Sequence, residues 1–402
     1  MTGFRGLSRE VKILTAVAFT VAVGFGIQSP AIPVFASQFG VGSTAVGALV
    51  SAFAFMRLAT GLPGGLLVNR FGERTVLTTG MAMLAVTSVL AGLSWNFPLL
   101  LIFRGICGIG SAMYTVSAMS LLLRVTPASR LGRATGLFQG GYYLGTVAGP
   151  ALGGGLLGIS PRLPFFVYGI AVAIAGGIAT FTLARAARAR DSGQTTGARW
   201  QRISVAHALG YQSYRAALTT NFGLGWAVFG VRVSVLPLFL LHVLQADPGW
   251  IGVGLAVGAV LQAVTLPLAG RVADVWGRRV SLIAGEGLIF GSLIMVTAWQ
   301  ALPGYLATFA LMGFGTAFCT TGGAAAVGDV TQGRGGTAVA TYQMAADLGM
   351  VVGPLVAGQI ASAYSYQTAF VATAVVVLVG LVMAVAIPRL LGPNMRAEPA
   401  EG

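Results

Sequence analysis

Twelve apolar runs, each about 20 residues long or longer, constrain this chain more than any other feature, because that length crosses a bilayer as a helix. They lie at approximately 11–36, 44–68, 75–94, 98–123, 131–157, 163–187, 213–241, 249–273, 280–299, 303–328, 336–361 and 367–390. A backbone surrounded by lipid must satisfy its own N–H and C=O groups, and runs of this length do so as helices. A water-soluble fold is excluded: 56% of the residues are hydrophobic and 8% charged, against about 25% charged in soluble domains. The first run follows Arg5, Arg9 and Lys12. It is too long for a signal-peptide core and eleven more follow, so it reads as an uncleaved first helix. The expected fold is an all-α membrane protein with twelve transmembrane helices, and no soluble domain is left over.

The net charge of +14 would suggest nucleic acid in a soluble protein, but here its distribution decides. Apart from Arg57, Arg104 and Arg232 inside runs and Arg162 in an opposite loop, the basic residues gather at the N-terminus, the alternate loops and the C-terminus. That asymmetry predicts cytoplasmic termini at a cell inner membrane, with lipid rather than nucleic acid as the surrounding partner. Cys107 and Cys319 fall in predicted spans and give neither a disulfide framework nor metal spacing.

The chain is also internally duplicated. The polar stretch Ala187 to His207 (ARARDSGQTTGARWQRISVAH) divides six runs from six and reads as a partly helical linker lying on the membrane through Trp200 and Arg202. The expected parts are residues 1–186, a linker 187–209 and residues 210–402. At an offset of 204 or 205, Gly26, Gln28 and Pro33 match Gly230, Arg232 and Pro237. Gly65, Asn69, Gly72, Arg74 and Leu77 match Gly270, Asp274, Gly277, Arg279 and Leu282. Gly108 and Gly110 match Gly313 and Gly315, and Gln139, Gly145, Gly149, Pro150 and Gly154 match Gln343, Gly349, Gly353, Pro354 and Gly358. A direct repeat of six spans implies two pseudo-symmetric six-helix bundles about an axis normal to the membrane.

On these residues the chain resembles the major facilitator superfamily over nearly all its length. The loop from Gly65 to Arg74 is similar to that family's G-x-L-x-D-R-x-G-R-K/R motif, and Arg104, Gly108 and Gly110 resemble its fourth-helix motif. Gly136, Gly145, Gly149, Pro150, Gly153 and Gly154 reproduce every named position of its fifth-helix antiporter motif. The resemblance implies the two-bundle fold and exchange of substrate for protons; the alternative is a glycine-rich packing face with no antiport role. The glycines are expected to bring the fifth helix against a neighbour, the eighth, with Gly149-Pro150 bending it.

No Walker loop, HExxH, zinc spacing or nucleophile elbow is present, so no enzyme activity, cofactor or metal is expected. His207 and His242 lie near span ends as solvated residues, with His242 placed to sense external pH. Charges inside spans are the better clue, because each costs about 2.5–3.5 kcal/mol at a helix centre. Arg57 lies roughly 20 Å from the cytoplasmic end of its helix and Arg104 roughly 9 Å from the outer end of its own. Against Arg57, Arg104 and Arg232 stand the intramembrane carboxylates Glu286 and Asp347. Desolvation favours a neutral carboxyl and a nearby guanidinium a charged one, so a proton and an anionic substrate group compete at such a site. Asp347, Glu286 and Arg104, the last resembling the family's fourth-helix arginine, are the proton-coupling candidates; the alternatives are permanent neutralisation of an arginine or a backbone cap for Asp347, a place on a peripheral ninth helix for Glu286, and a structural role for Arg104.

Cavity candidates are Gln28, Arg57, Gln139, Tyr142, Tyr143, Trp226, Arg232, Gln262 and Gln343. Together they suggest an amphipathic site for a small organic molecule. The resemblance also implies a cytoplasmic gate at Asn69, Arg70, Arg74, Asp274, Arg278 and Arg279; Asp329, whose repeat counterpart is Arg124, is expected as a cross-half gate at the same surface. Asn69 and Glu73 depart from the acid and base expected in the first copy. The leading expectation is a monomeric, proton-driven exporter of amphipathic small molecules. The alternatives are an organic-anion or anionic-lipid carrier and a non-transporting ligand sensor.

Overall fold

A computed structural model describes residues 8–126, 131–188, 205–331 and 336–388. Twelve long helices account for the twelve apolar runs. They are Arg9–Ser37, Ser43–Phe71, Glu73–Gly92, Phe97–Val125, Leu131–Leu157 and Leu163–Arg188, then Gln212–His242, Gly249–Val275, Arg278–Ala298, Leu302–Thr331, Gly336–Ala363 and Tyr366–Val385. Hereafter they are spans one to twelve. By length and hydropathy, 11 of them qualify to cross a membrane on the described residues alone. The expected surface segment around Trp200 and Arg202 lies outside the described residues; the linker contributes one short helix, Val205–Leu209.

Local sequence explains where these helices start and turn. Ser8, Asn96 and Ser365 each accept a hydrogen bond from a first-turn amide, those of Val11, Leu99 and Thr368, which satisfies an N–H that the helix leaves open. Span two passes into span three through Gly72 alone, at φ +81°, and the loop into span nine turns at Gly277, at φ +92°. Both turns need the left-handed region that glycine enters freely, which is why the repeat keeps glycine there. Outward faces remain apolar: Ile170, Ile174, Ile178 and Phe181 on span six, and Val371, Val375, Val379 and Val382 on span twelve, are exposed at helical spacing. Such stripes suit hydrocarbon rather than water.

The chain forms two compact units, residues 1–196 with 247–256, and residues 197–246 with 257–402. In the first, span one packs on spans five and six, and span four on spans two and three. In the second, span seven packs on spans eleven and twelve, and span nine on spans ten and twelve. Close approaches repeat as well: Gly26 abuts Pro150 as Gly230 abuts Pro354, and Gly80 lies against Gly110 and Tyr114 as Gly285 lies against Gly315 and Cys319.

One element breaks the parallel. Span one is interrupted at Ser29-Pro30, between the helical segments Arg9–Gln28 and Ala31–Ser37. Span seven instead runs through a π-helical turn, Gly225–Val231, before resuming at Arg232. Gly225 and Gly230, near the two ends of that wide turn, are pressed against Ala346 and Pro354 of span eleven. Such turns recur at functional sites.

Candidate functional site

The fifth-span glycines form a packing face, but not against the partner expected. Gly141, Gly145, Gly149 and Gly153 lie on span one, where a methyl at each would meet Thr15, Phe19, Val23 or Ile27. Among the described glycines of the motif, Gly154 turns the other way, onto Gly252 within the same compact unit. The eighth-helix expectation is therefore corrected for most of the motif: small residues let spans five and one approach backbone to backbone. Pro150 sits inside a helix that continues to Leu157.

In the first unit a guanidinium is buried at the meeting of spans one, two and four. Arg104 is 2% exposed. Its Nη1 donates to Gln28 Oε1 at 3.0 Å, and Gln28 Nε2 donates onward to Ser88 Oγ at 3.3 Å. The guanidinium lies over the Phe53 ring, 4.7 Å from its centroid, a geometry that attracts a cation to the ring face. Gln28, expected to face a ligand, is instead fully buried and positions Arg104. Among the described residues Arg104 Nε has no hydrogen-bond partner.

The second unit builds a related node with its parts exchanged. The repeat partners of Gln28, Phe53 and Arg104 are Arg232, Gly258 and Phe309. Here the arginine comes from span seven and the buried aromatic from span ten. Arg232 Nε donates to the Val228 carbonyl at 3.2 Å, one turn back. Its Nη1 is buried without a partner, beside Gly258.

Deeper in the same unit Glu286 is 1% exposed. It lies against Gly380 of span twelve, with Gly223 of span seven on another side, and its Oε1 makes no hydrogen bond. Thr220 of span seven stands beside the carboxyl, and its hydroxyl has no hydrogen-bond partner among the described residues. Asp347 is also buried, whereas Gln343, one turn before it, is exposed. Trp226 is buried rather than displayed: Nε1 donates to Thr373 Oγ1 at 3.3 Å, and the indole packs on Phe222 and Gly353. Arg57, Tyr142 and Gln262 are half-buried. The side chains of Asn69, Gln139 and Tyr143, and Gly136, lie outside the described residues.

Gate residues pair in the second unit, and a bridge between residues outside the expected gate forms in the first. Arg278 binds Asp329 at 3.0 Å and Asp274 at 3.1 Å. Asp329, expected to reach across to the other half, is thus engaged inside its own unit. In the first unit Glu73 pairs with Arg124 at 2.9 Å. Glu73 and Arg124 are the repeat partners of Arg278 and Asp329, so the same bridge is built twice with its charges reversed. The sequence reading missed this pair although the 205-residue offset holds the signal. Arg70 lies exposed over Phe71, Arg74 is half-buried, and Arg279 donates to the Val385 carbonyl at 2.8 Å.

Membrane-length helices in two repeated units, each burying ionisable groups in its interior, define a polytopic membrane transporter. The chain belongs to the Major Facilitator Superfamily, whose family model matches residues 14–259 and 218–402. It is 26% identical over 285 residues to Multidrug resistance protein 1 of Bacillus subtilis, an alignment spanning 70% of this chain and 72% of that protein. It is 25% identical over 163 residues to Quinolone resistance protein NorA of Staphylococcus aureus, where the match spans 40% of this chain and 42% of the relative.

Among solved structures, a bacterial homolog of the human lysosomal transporter Spinster, inward-facing and unoccupied, superposes with a TM-score of 0.78 at 16% identity, covering 94% of this chain and 97% of that one. A POT family transporter in complex with a thioalcohol-conjugated peptide gives 0.76 at 11% identity, covering 96% of each. These likenesses establish the fold. As a member of this family the chain is a multi-pass membrane transporter and not an enzyme.

Proposed function

We propose that this transporter exports amphipathic small organic molecules, drugs among them, in exchange for protons. It works by rocker-switch alternating access, as a monomer in a bacterial inner membrane with both termini cytoplasmic. The observation that carries the reading is the similarity, over 70% of the chain, to a multidrug resistance protein. The resemblance of the span-five glycines to the antiporter motif supports it; Gly145, Gly149 and Gly153 of that motif pack on span one. Support for coupling comes from Glu286 and Asp347, carboxyl groups buried where ionisation is costly unless matched.

The test is uptake into inside-out vesicles whose lumen is acid. A quinolone should accumulate above its outside concentration in vesicles carrying this protein. Accumulation that stops at equal concentrations, or is indifferent to the pH gradient, would overturn proton-driven export.

A second reading has its own support. Among the described residues neither Arg104 nor Arg232 forms a salt bridge with a carboxylate: Arg104 is held by Gln28 and Phe53, and Arg232 by a carbonyl. Exposed to a cavity in some stage of transport, such guanidinium groups would select an organic anion. That reading requires flux to favour anionic over cationic substrates of similar size and to fall in Arg232→Gln.

A further inference from the structure

Glu286 occupies a position that the fold does not need to be acidic. Its repeat partner is Met81, and Gly380 corresponds to Gly176. In the first unit Met81 is 1% exposed and packs on Gly176, where a methyl would lie 3.2 Å from Met81 Cβ and 3.6 Å from its sulfur. In the second unit Glu286 rests on Gly380 in the same way, the glycine leaving room for the carboxyl. Methionine and glutamate are unbranched side chains of similar length, and each lies against the glycine of the equivalent span. A thioether fills the slot in one unit and an ionisable acid in the other.

Among the described residues, the surroundings of the acid give it no permanent counter-charge. Span seven presents Thr220 and Gly223, span twelve presents Gly380, and span ten presents Cys319, packed on Gly285, the residue before Glu286. Cys319 is thus the titratable neighbour among the described residues; Arg279 lies two turns away on the same helix and is turned to Val385. An ion in such a slot is costly, and uptake of a proton removes that cost.

The slot is also mechanically placed. Thr220 and Gly223 immediately precede the π-helical turn Gly225–Val231. Two turns before Gly380 on span twelve stands Thr373, which takes the hydrogen bond of Trp226. Whatever shifts the span seven and span twelve seam at Glu286 therefore acts on the turn that carries Trp226 and ends at Arg232.

We propose that Glu286 is the group that binds and releases the coupled proton, at a site inside the second unit and separate from the substrate contacts, with the π-helical turn of span seven passing its charge state to Trp226 and Arg232. This rests on the proton-coupled reading above and selects Glu286 over Asp347 within it.

Two variants test it, Glu286→Met, which installs the side chain the fold already accepts at Met81, and Glu286→Gln. Infrared titration of the purified protein should show a carboxylic-acid carbonyl band that changes with pH and is missing in both variants. In proteoliposomes, pH-driven quinolone accumulation should fall to the level of empty liposomes in both. An unchanged band titration in either variant overturns the site, whatever the transport result. Loss of the band with pH-driven accumulation retained overturns the coupling role. Wild-type protein that shows no pH-driven accumulation overturns the antiport reading and the coupling role together, while the band still decides whether Glu286 binds a proton.

Discussion

The two units fold alike and treat buried charge differently. Arg104 in the first and Glu286 in the second are buried to the same degree, at 2% and 1% exposure. Arg104 is held: an amide oxygen takes one N–H, that amide is itself anchored on Ser88, and an aromatic face covers the guanidinium. Glu286 is merely accommodated, by a glycine beneath it and a hydroxyl beside it. A fixed charge needs partners that stay, whereas a group that changes charge is hindered by them. The comparison therefore separates a positioned cation from an acid whose Oε1 has no hydrogen bond among the described residues, on scaffolds that are otherwise repeats of each other.

The strongest way to break the comparison is to break the scaffold. Gly149→Leu and Gly353→Leu each drive a side chain into the opposing helix, toward Val23 and Gly26 in the first unit and Trp226 in the second. Each should cost about 3 kcal/mol or more and abolish transport, read by thermal unfolding in detergent and by vesicle uptake. Gly155→Leu is the control from the same glycine run, since nothing lies within 4 Å of it; it should leave stability unchanged. Equal behaviour of Gly149→Leu and Gly155→Leu would remove the packing role assigned to the motif.

The next effect is a difference in sign. Glu286→Met replaces an unsatisfied acid with the residue of the equivalent slot and should stabilise the protein by about 1–3 kcal/mol while ending pH-driven transport. Arg104→Met leaves the buried Gln28 oxygen without its donor and should destabilise by about 1–3 kcal/mol. Shifts of the same sign would mean that the two groups are housed alike and that the contrast drawn between them is wrong.

The smallest effect concerns the reversed salt bridges. Both are partly exposed, so a double-mutant cycle on Glu73 and Arg124 should give a coupling of about 0.5–1 kcal/mol, and one on Arg278 and Asp329 a similar value. Arg278→Glu should weaken transport, and adding Asp329→Arg, which copies the polarity of the first unit, should recover it. Failure of the double variant to recover would show that the polarity of the bridge, and not only its presence, is used.

The fold was legible in the sequence because its causes are periodic and local. Twelve apolar runs, Gly72 and Gly277 at the turns, and the 205-residue repeat each act through backbone demands that a linear reading can see. The sites were legible only as a cast of residues. Gln28 looked like a ligand contact because a polar group in an apolar run invites that reading; its partner Arg104 is 76 positions away. Trp226 was placed in a cavity because aromatics on a central helix suit one, and Thr373, 147 positions on, holds it in the core. The fifth-span glycines were recognised as a packing face, but which helix they face depends on which neighbour is equally smooth, a property of two segments at once. Glu286 was visible as an odd charge, and only the packing of Met81 on Gly176 made its slot interpretable.

The central claim, exchange of substrate for protons, is tested most directly with purified protein in liposomes that enclose a quinolone and a pH-reporting dye and start with no pH difference. On dilution the quinolone leaves down its gradient, and antiport draws protons inward, so the lumen should acidify at a rate that exceeds empty liposomes and is lost in Glu286→Met. A lumen whose pH follows that of empty liposomes while the quinolone leaves through the protein would contradict the account.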